Sequence, residues 1–95
     1  MNKYELSVVL APNLEEEAKT AALETVKEYI TRFGGEIENV DEWGKRKLAY
    51  EIKKFSEGFY YFITFTADAT APTEIESRVR IMDSVIRYLL VKQEA

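Results

Sequence analysis

Apolar and polar positions change period several times along the chain, and each change marks an element. In KYELSVVLA, Tyr4, Leu6, Val8 and Leu10 alternate with Glu5, Ser7 and Val9, the pattern of a strand with one buried face. Pro12 ends it, and Asn13 stands where a helix cap belongs, with Glu16 three residues on. The acids Glu15, Glu16 and Glu17 occupy the first turn, where the helix dipole favours negative charge. From Leu14 the spacing is helical: Leu14, Ala18, Ala22, Val26, Tyr29 or Ile30, and Phe33 share a stripe, and Gly34-Gly35 stops the helix.

EIENVDEWGKRKLAYEIKK returns to period two and predicts a long strand, broken or bulged near Gly44. Ser56-Glu57-Gly58 reads as a turn into GFYYFITFTA, the strongest strand signal in the chain. Phe59, Tyr61, Ile63 and Phe65 face one way there, and Tyr60, Phe62, Thr64 and Thr66 the other. A second helix opens near Thr70 with Pro72 early, where its missing N–H costs little, and buries Ile75, Val79 and Met82. SVIRYLLVK is the last strand.

The order β-α-β-β-α-β, with right-handed crossovers, puts both helices on one face of a four-stranded antiparallel sheet. The fold class is therefore α+β, ferredoxin-like, as a single domain spanning residues 1–95. The covered face is expected to take Leu6, Val8, Tyr61, Ile63, Phe65 and Leu90. The open face is expected to show Val9, Tyr60, Phe62, Arg87, Leu89 and Val91. That face is too apolar for water alone and predicts an interface.

Composition narrows the function. At 46% hydrophobic residues the chain is not of the disordered class. No stretch reaches the length of a membrane span. The short apolar run near the N-terminus follows Glu5 and precedes an acidic triplet, unlike a secretory signal. Neither Cys nor His occurs, so thiolate or imidazole metal sites and His-based catalysis are excluded. No paired carboxylates or phosphate-binding glycine loop point to an enzyme, and no cofactor is expected.

The net charge of −4 conceals an uneven distribution. Residues 1–44 sum to −6 and residues 55–95 to −2, whereas residues 45–54 carry Lys45, Arg46, Lys47, Lys53 and Lys54 against Glu51 alone. Basic side chains beside Trp43 and Tyr50 suit phosphate contacts and base stacking. The plainer reading is a Lys-defended edge strand. In a strand Lys45 and Lys47 share a face opposite Arg46, so the three serve two surfaces. Arg78 and Arg80 lie about 200° apart on a helix, and Arg80 meets Arg87 only if the fold brings them together.

KYE at the start, the LAPNL-acid helix opening, FGG, E-x-W-G-K-R-K-L-A-Y-E-I, GFYYF and RIMDSVIRYLLVK together resemble the bacterial small-subunit ribosomal protein six family, essentially end to end. The resemblance implies a non-enzymatic, cytoplasmic ribosomal protein with this same fold. It implies binding to the central domain of small-subunit rRNA together with ribosomal protein eighteen. By position, Trp43, Tyr50, Tyr60, Phe62 and Leu89 would meet the protein partner. Tyr4, Lys45, Arg46, Lys47, Arg80, Arg87 and Lys92 would lie near RNA. Some members carry a cation at position 2, where this chain has Asn2. The isolated chain is expected to be a monomer. The competing expectation is a self-associating regulatory or ligand-binding module of the same fold, which would bury Tyr60 and Phe62 symmetrically.

Overall fold

The computed structural model describes residues 2–93. Its elements run β1 (Asn2–Leu10), α1 (Glu16–Arg32), β2 (Glu36–Ile52), β3 (Phe55–Ala67), α2 (Ala71–Arg80) and β4 (Val85–Gln93). The strands form one sheet in the order β2-β3-β1-β4, every neighbouring pair antiparallel. This is the expected ferredoxin-like arrangement, with β1 and β3 at the centre.

The main core lies between the sheet and the helices. Leu6, Val8 and Leu10 of β1, Tyr61, Ile63 and Phe65 of β3, Val26 and Ile30 of α1, and Ile75 and Val79 of α2 are all essentially buried. The two periods found in the sequence, 2 for strands and 3.6 for helices, thus converge on one layer. Each large aliphatic side chain buried there contributes roughly 1.5–3 kcal/mol relative to exposure. The outer face of α1 is solvated and carries the ion pairs Lys27–Glu24 and Arg32–Glu28, whereas Lys19, paired with Glu16, turns towards the sheet and lies over Phe59.

Two local expectations are corrected. Helix α1 begins after Glu15, in extended conformation with no side-chain cap bond, rather than after Asn13. Leu14, in the connection before the helix, packs against buried residues on both sides of the sheet. The β2–β3 turn is not Ser56-Glu57-Gly58, which lies within β3, but Lys53-Lys54, both with positive φ (50° and 69°). Ile52 and Phe55 pair across it. A two-residue hairpin loop needs this left-handed geometry to match strand twist. Two lysines give no sequence signal for it.

The predicted bulge near Gly44 is present. Glu42 pairs with Tyr61 and Gly44 with Tyr60, leaving Trp43 as the extra residue, and Gly44 takes φ +80°. A larger irregularity follows, because Lys47 pairs with Glu57 and Ile52 with Phe55. The surplus chain bows over the open side of the sheet as a hairpin arm. Leu48, Ile52 and Phe55 of the arm pack on Val9, Ala11 and Ile86, forming a second, smaller core. Val9, expected on the open face, is therefore only 4% exposed.

Gly58 is where the arm crosses Val9. A Cβ there would lie 2.3 Å from Val9 Cγ1 and 3.1 Å from the Leu10 carbonyl oxygen. Gly58→Ala is expected to cost about 1–3 kcal/mol through overpacking, read as a lower midpoint in urea unfolding with an unchanged slope. A second prediction concerns alkaline pH. Burial holds the Tyr61 hydroxyl above its ordinary value of 10.0, partly offset by the nearby Lys19 ammonium. Lys19 is itself raised above 10.5, chiefly by its hydrogen bond to Glu16. Both groups are raised on folding, so their stabilisation is complete below the ordinary values and is lost as pH climbs through the raised ones. Unfolding free energy should fall above pH 10, and Tyr61→Phe should flatten that fall.

Candidate functional site

With both helices on one side, the opposite face of the sheet presents Ser7, Tyr60, Phe62, Arg87 and Leu89 around a shallow groove of about 220 Å³, with Val9 at its floor. At one end the face is polar. Lys3 pairs with Glu38 across β3 at 3.2 Å, and Gln93 donates to Glu5 at 3.3 Å. At the other end it is aromatic. Trp43, placed by its bulge, packs on Phe62 with ring centroids 4.7 Å apart and tilted by 58°, and Phe62 in turn lies 6.5 Å from Tyr60. Tilted pairs of this kind are favourable beyond the area they bury. Trp43 Nε1 donates to Asp41 at 3.0 Å, which fixes the indole orientation.

Trp43 and Leu89 remain half exposed, at 50% and 54%, and Tyr50 on the arm reaches 62%. Val91 continues the apolar strip along β4. The five residues expected at a protein partner are thus gathered on one side of the molecule. Four line the sheet face, and Tyr50 stands above it on the arm, near Arg87.

The cations divide as strand geometry predicts. Lys45 lies over Phe59 on the helix side, 5.8 Å from the ring centroid, sharing that ring with Lys19. Arg46 lies on the open side over Trp43, at 5.7 Å. Lys47 pairs with Glu57 in the arm and is exposed. Arg87 rises from the open face to within 5.9 Å of the Tyr50 ring. Arg80 and Arg87, far apart in sequence, do converge: together with Lys53, Val85, Ile86 and Tyr88 they line an open depression of about 420 Å³. Lys53 was missed as a site residue because only the left-handed turn brings it there. Lys92 is exposed near the other end of β4, opposite Tyr4.

Tyr4 differs from the rest of the expected set. It is only 6% exposed, its ring lies 5.6 Å from Phe65, and its hydroxyl accepts from the Asn2 amide at 3.3 Å. The alternation that made β1 a half-buried strand puts Tyr4 on the helix side, so its ring packs the core.

The split βαβ sheet thus carries a half-exposed aromatic face beside a basic depression. The family model of ribosomal protein S6 matches residues 3–92. Small ribosomal subunit protein bS6 of Clostridium kluyveri is 54% identical, covering 99% of each chain, and that of Clostridium acetobutylicum is 51% identical over the same span. The crystal structure of ribosomal protein S6 from Thermotoga maritima superposes with a TM-score of 0.92 at 38% identity, covering 97% of this chain and 87% of that one. The C-terminal domain of MgtC from Mycobacterium tuberculosis, at 7% identity and a TM-score of 0.65, shares the fold alone. The chain belongs to the ribosomal protein S6 family. It is a structural, non-enzymatic protein of the bacterial small ribosomal subunit, at work in the cytoplasm.

The aromatic stack yields a direct prediction. Phe62→Ala should leave the chain folded, lower its stability by about 1–2 kcal/mol and shift the emission of the single Trp to longer wavelength. Unchanged emission would remove Phe62 as the support of Trp43.

Proposed function

We propose that the chain joins two components of the small subunit: ribosomal protein eighteen on the open sheet face and the central domain of the rRNA along its basic edge. The observation that carries this reading is a half-exposed aromatic and aliphatic face on a chain whose cations are concentrated beside it. Trp43, Tyr50, Tyr60, Phe62 and Leu89 have the composition of an interface centre, where aromatic anchors carry most of the affinity. Arg46, Arg80 and Arg87 border that face. Lys45, Lys47 and Lys92 extend positive charge outward from it.

Charge sets the energetic division. Phosphate neutralisation dominates affinity for RNA and rises with the number of cations engaged. A chain of net charge −4 engages few. The apolar face therefore contributes through the protein partner, and RNA binding is strong only when a basic partner shares the phosphates. With that face unpartnered at low concentration, the isolated chain remains a monomer.

The test is filter binding of a central-domain rRNA fragment at physiological salt. The chain alone should bind weakly, and an equimolar mixture with ribosomal protein eighteen tightly. Nanomolar binding by the chain alone would overturn the division of labour. A concentration-dependent dimer in sedimentation, with Tyr60 and Phe62 protected, would favour the self-associating reading instead.

A further inference from the structure

The hairpin arm is fastened to the sheet by side chains rather than by backbone pairing. Among the described residues, no register pair joins residues 48–57 to β1 or β4, and β3 pairs with β1 only as far as Leu10–Phe59. Within the arm, Leu48, Ala49, Tyr50 and Glu51 have no register partner on β3 either. What fastens it is Leu48, Ile52 and Phe55, each half-buried, resting on Val9, Ala11 and Ile86. This small core is nearly separate from the main one, since among the described residues Leu14 is the one half-buried apolar side chain that packs against both. Val9 stands in a row across the open face, with Tyr60 on one side and Arg87 on the other. An arm seated on Val9 therefore lies beside Arg87, and the exposed Tyr50 ring comes within 5.9 Å of its guanidinium. One exposed cation–π contact is too weak to fix a segment that lacks backbone partners. The place of Tyr50 depends on the seat.

We propose that Leu48, Ile52 and Phe55 are positioning residues for the docking face: seated on Val9 and Ile86, they hold Tyr50 against Arg87 in the geometry that the protein partner meets, without touching that partner themselves. The inference rests on the reading of the open face as a protein-docking surface. It adds that one end of that surface is carried by a segment able to leave it. The arm opens as a unit, because its core is small, most of its residues are exposed and few contacts tie it to the main core. Partner affinity then scales with the seated fraction, since only the seated arm presents Tyr50. The other end of the face does not depend on the arm: Trp43 stacks on Phe62, and Leu89 stands on β4. Loosening the seat thus removes part of the interface and leaves the rest in place.

The experiment titrates ribosomal protein eighteen into the full chain and its variants, with amide hydrogen exchange of the free chain as a second measurement. Phe55→Ala should weaken binding as much as Tyr50→Ala, about tenfold. The double variant should lose no more than Tyr50→Ala alone, because both changes remove the same contact. Phe55→Leu keeps an apolar side chain in the seat and should retain most of the affinity. Val79→Ala, in the main core, should lower the unfolding midpoint and leave partner affinity unchanged. In Phe55→Ala the amides of residues 48–57 should exchange faster, while those of β1 and the emission of Trp43 stay as in the unaltered chain. Unchanged affinity in Phe55→Ala or Tyr50→Ala, additive losses in the double variant, or an equal loss in Val79→Ala would overturn the positioning role and leave the docking surface standing. So would a Phe55→Ala chain that no longer folds, because the seat and the main core would then be one unit. Failure of the unaltered chain to bind ribosomal protein eighteen would overturn the docking reading and this inference with it.

Discussion

A four-stranded sheet with both crossover helices on one side must leave its other face to water, to a partner or to a piece of its own chain. In this protein two of those solutions meet on one surface. The surplus residues of β2 let the hairpin bow over the lower end of the face, where Leu48, Ile52 and Phe55 bury Val9 and Ile86. The crossing is possible because Gly58 presents no Cβ to Val9. Further up, Tyr60, Phe62, Trp43 and Leu89 are left half covered. That residue of uncovered apolar surface is what the remaining geometry serves.

The arm also decides where the positive charge goes. A strand alternates, so Lys45 and Arg46 must point to opposite sides, and each settles over an aromatic ring on its own side. The turn then carries Lys53 back to Arg80 and Arg87. The basic island of the sequence is thus spread over three places in the fold. The most concentrated group draws only one member, Lys53, from the island. Local field depends on this spatial arrangement rather than on the net charge.

Much of the architecture was legible because it follows from local periodicity and from the handedness of crossovers. Leu6, Val8, Ile63 and Phe65 alternate as half-buried strands must, and Val26, Ile30, Ile75 and Val79 repeat at helical spacing. The start of α1 and the hairpin turn were not legible. Leu14 is held by packing on both sides of the sheet, which no cap pattern encodes, and Lys53-Lys54 adopts left-handed backbone without Gly or Asn. Tyr4 lies with its ring on the buried side of β1, as the alternation of that strand requires.

The elements, their order, the one-sided placement of the helices and the identity of the aromatic strip are all written in local residue patterns, because each depends on contacts between residues near in sequence or on fixed chirality. The family followed from the same residues. Tertiary structure alone decided that Val9 is covered, that Trp43 stands on Phe62, and that Lys53 joins Arg80 and Arg87. Those three outcomes depend on how far a bulged hairpin bends over the sheet. That bend is set by close packing between distant segments, Gly58 against Val9 above all, and no local pattern carries it.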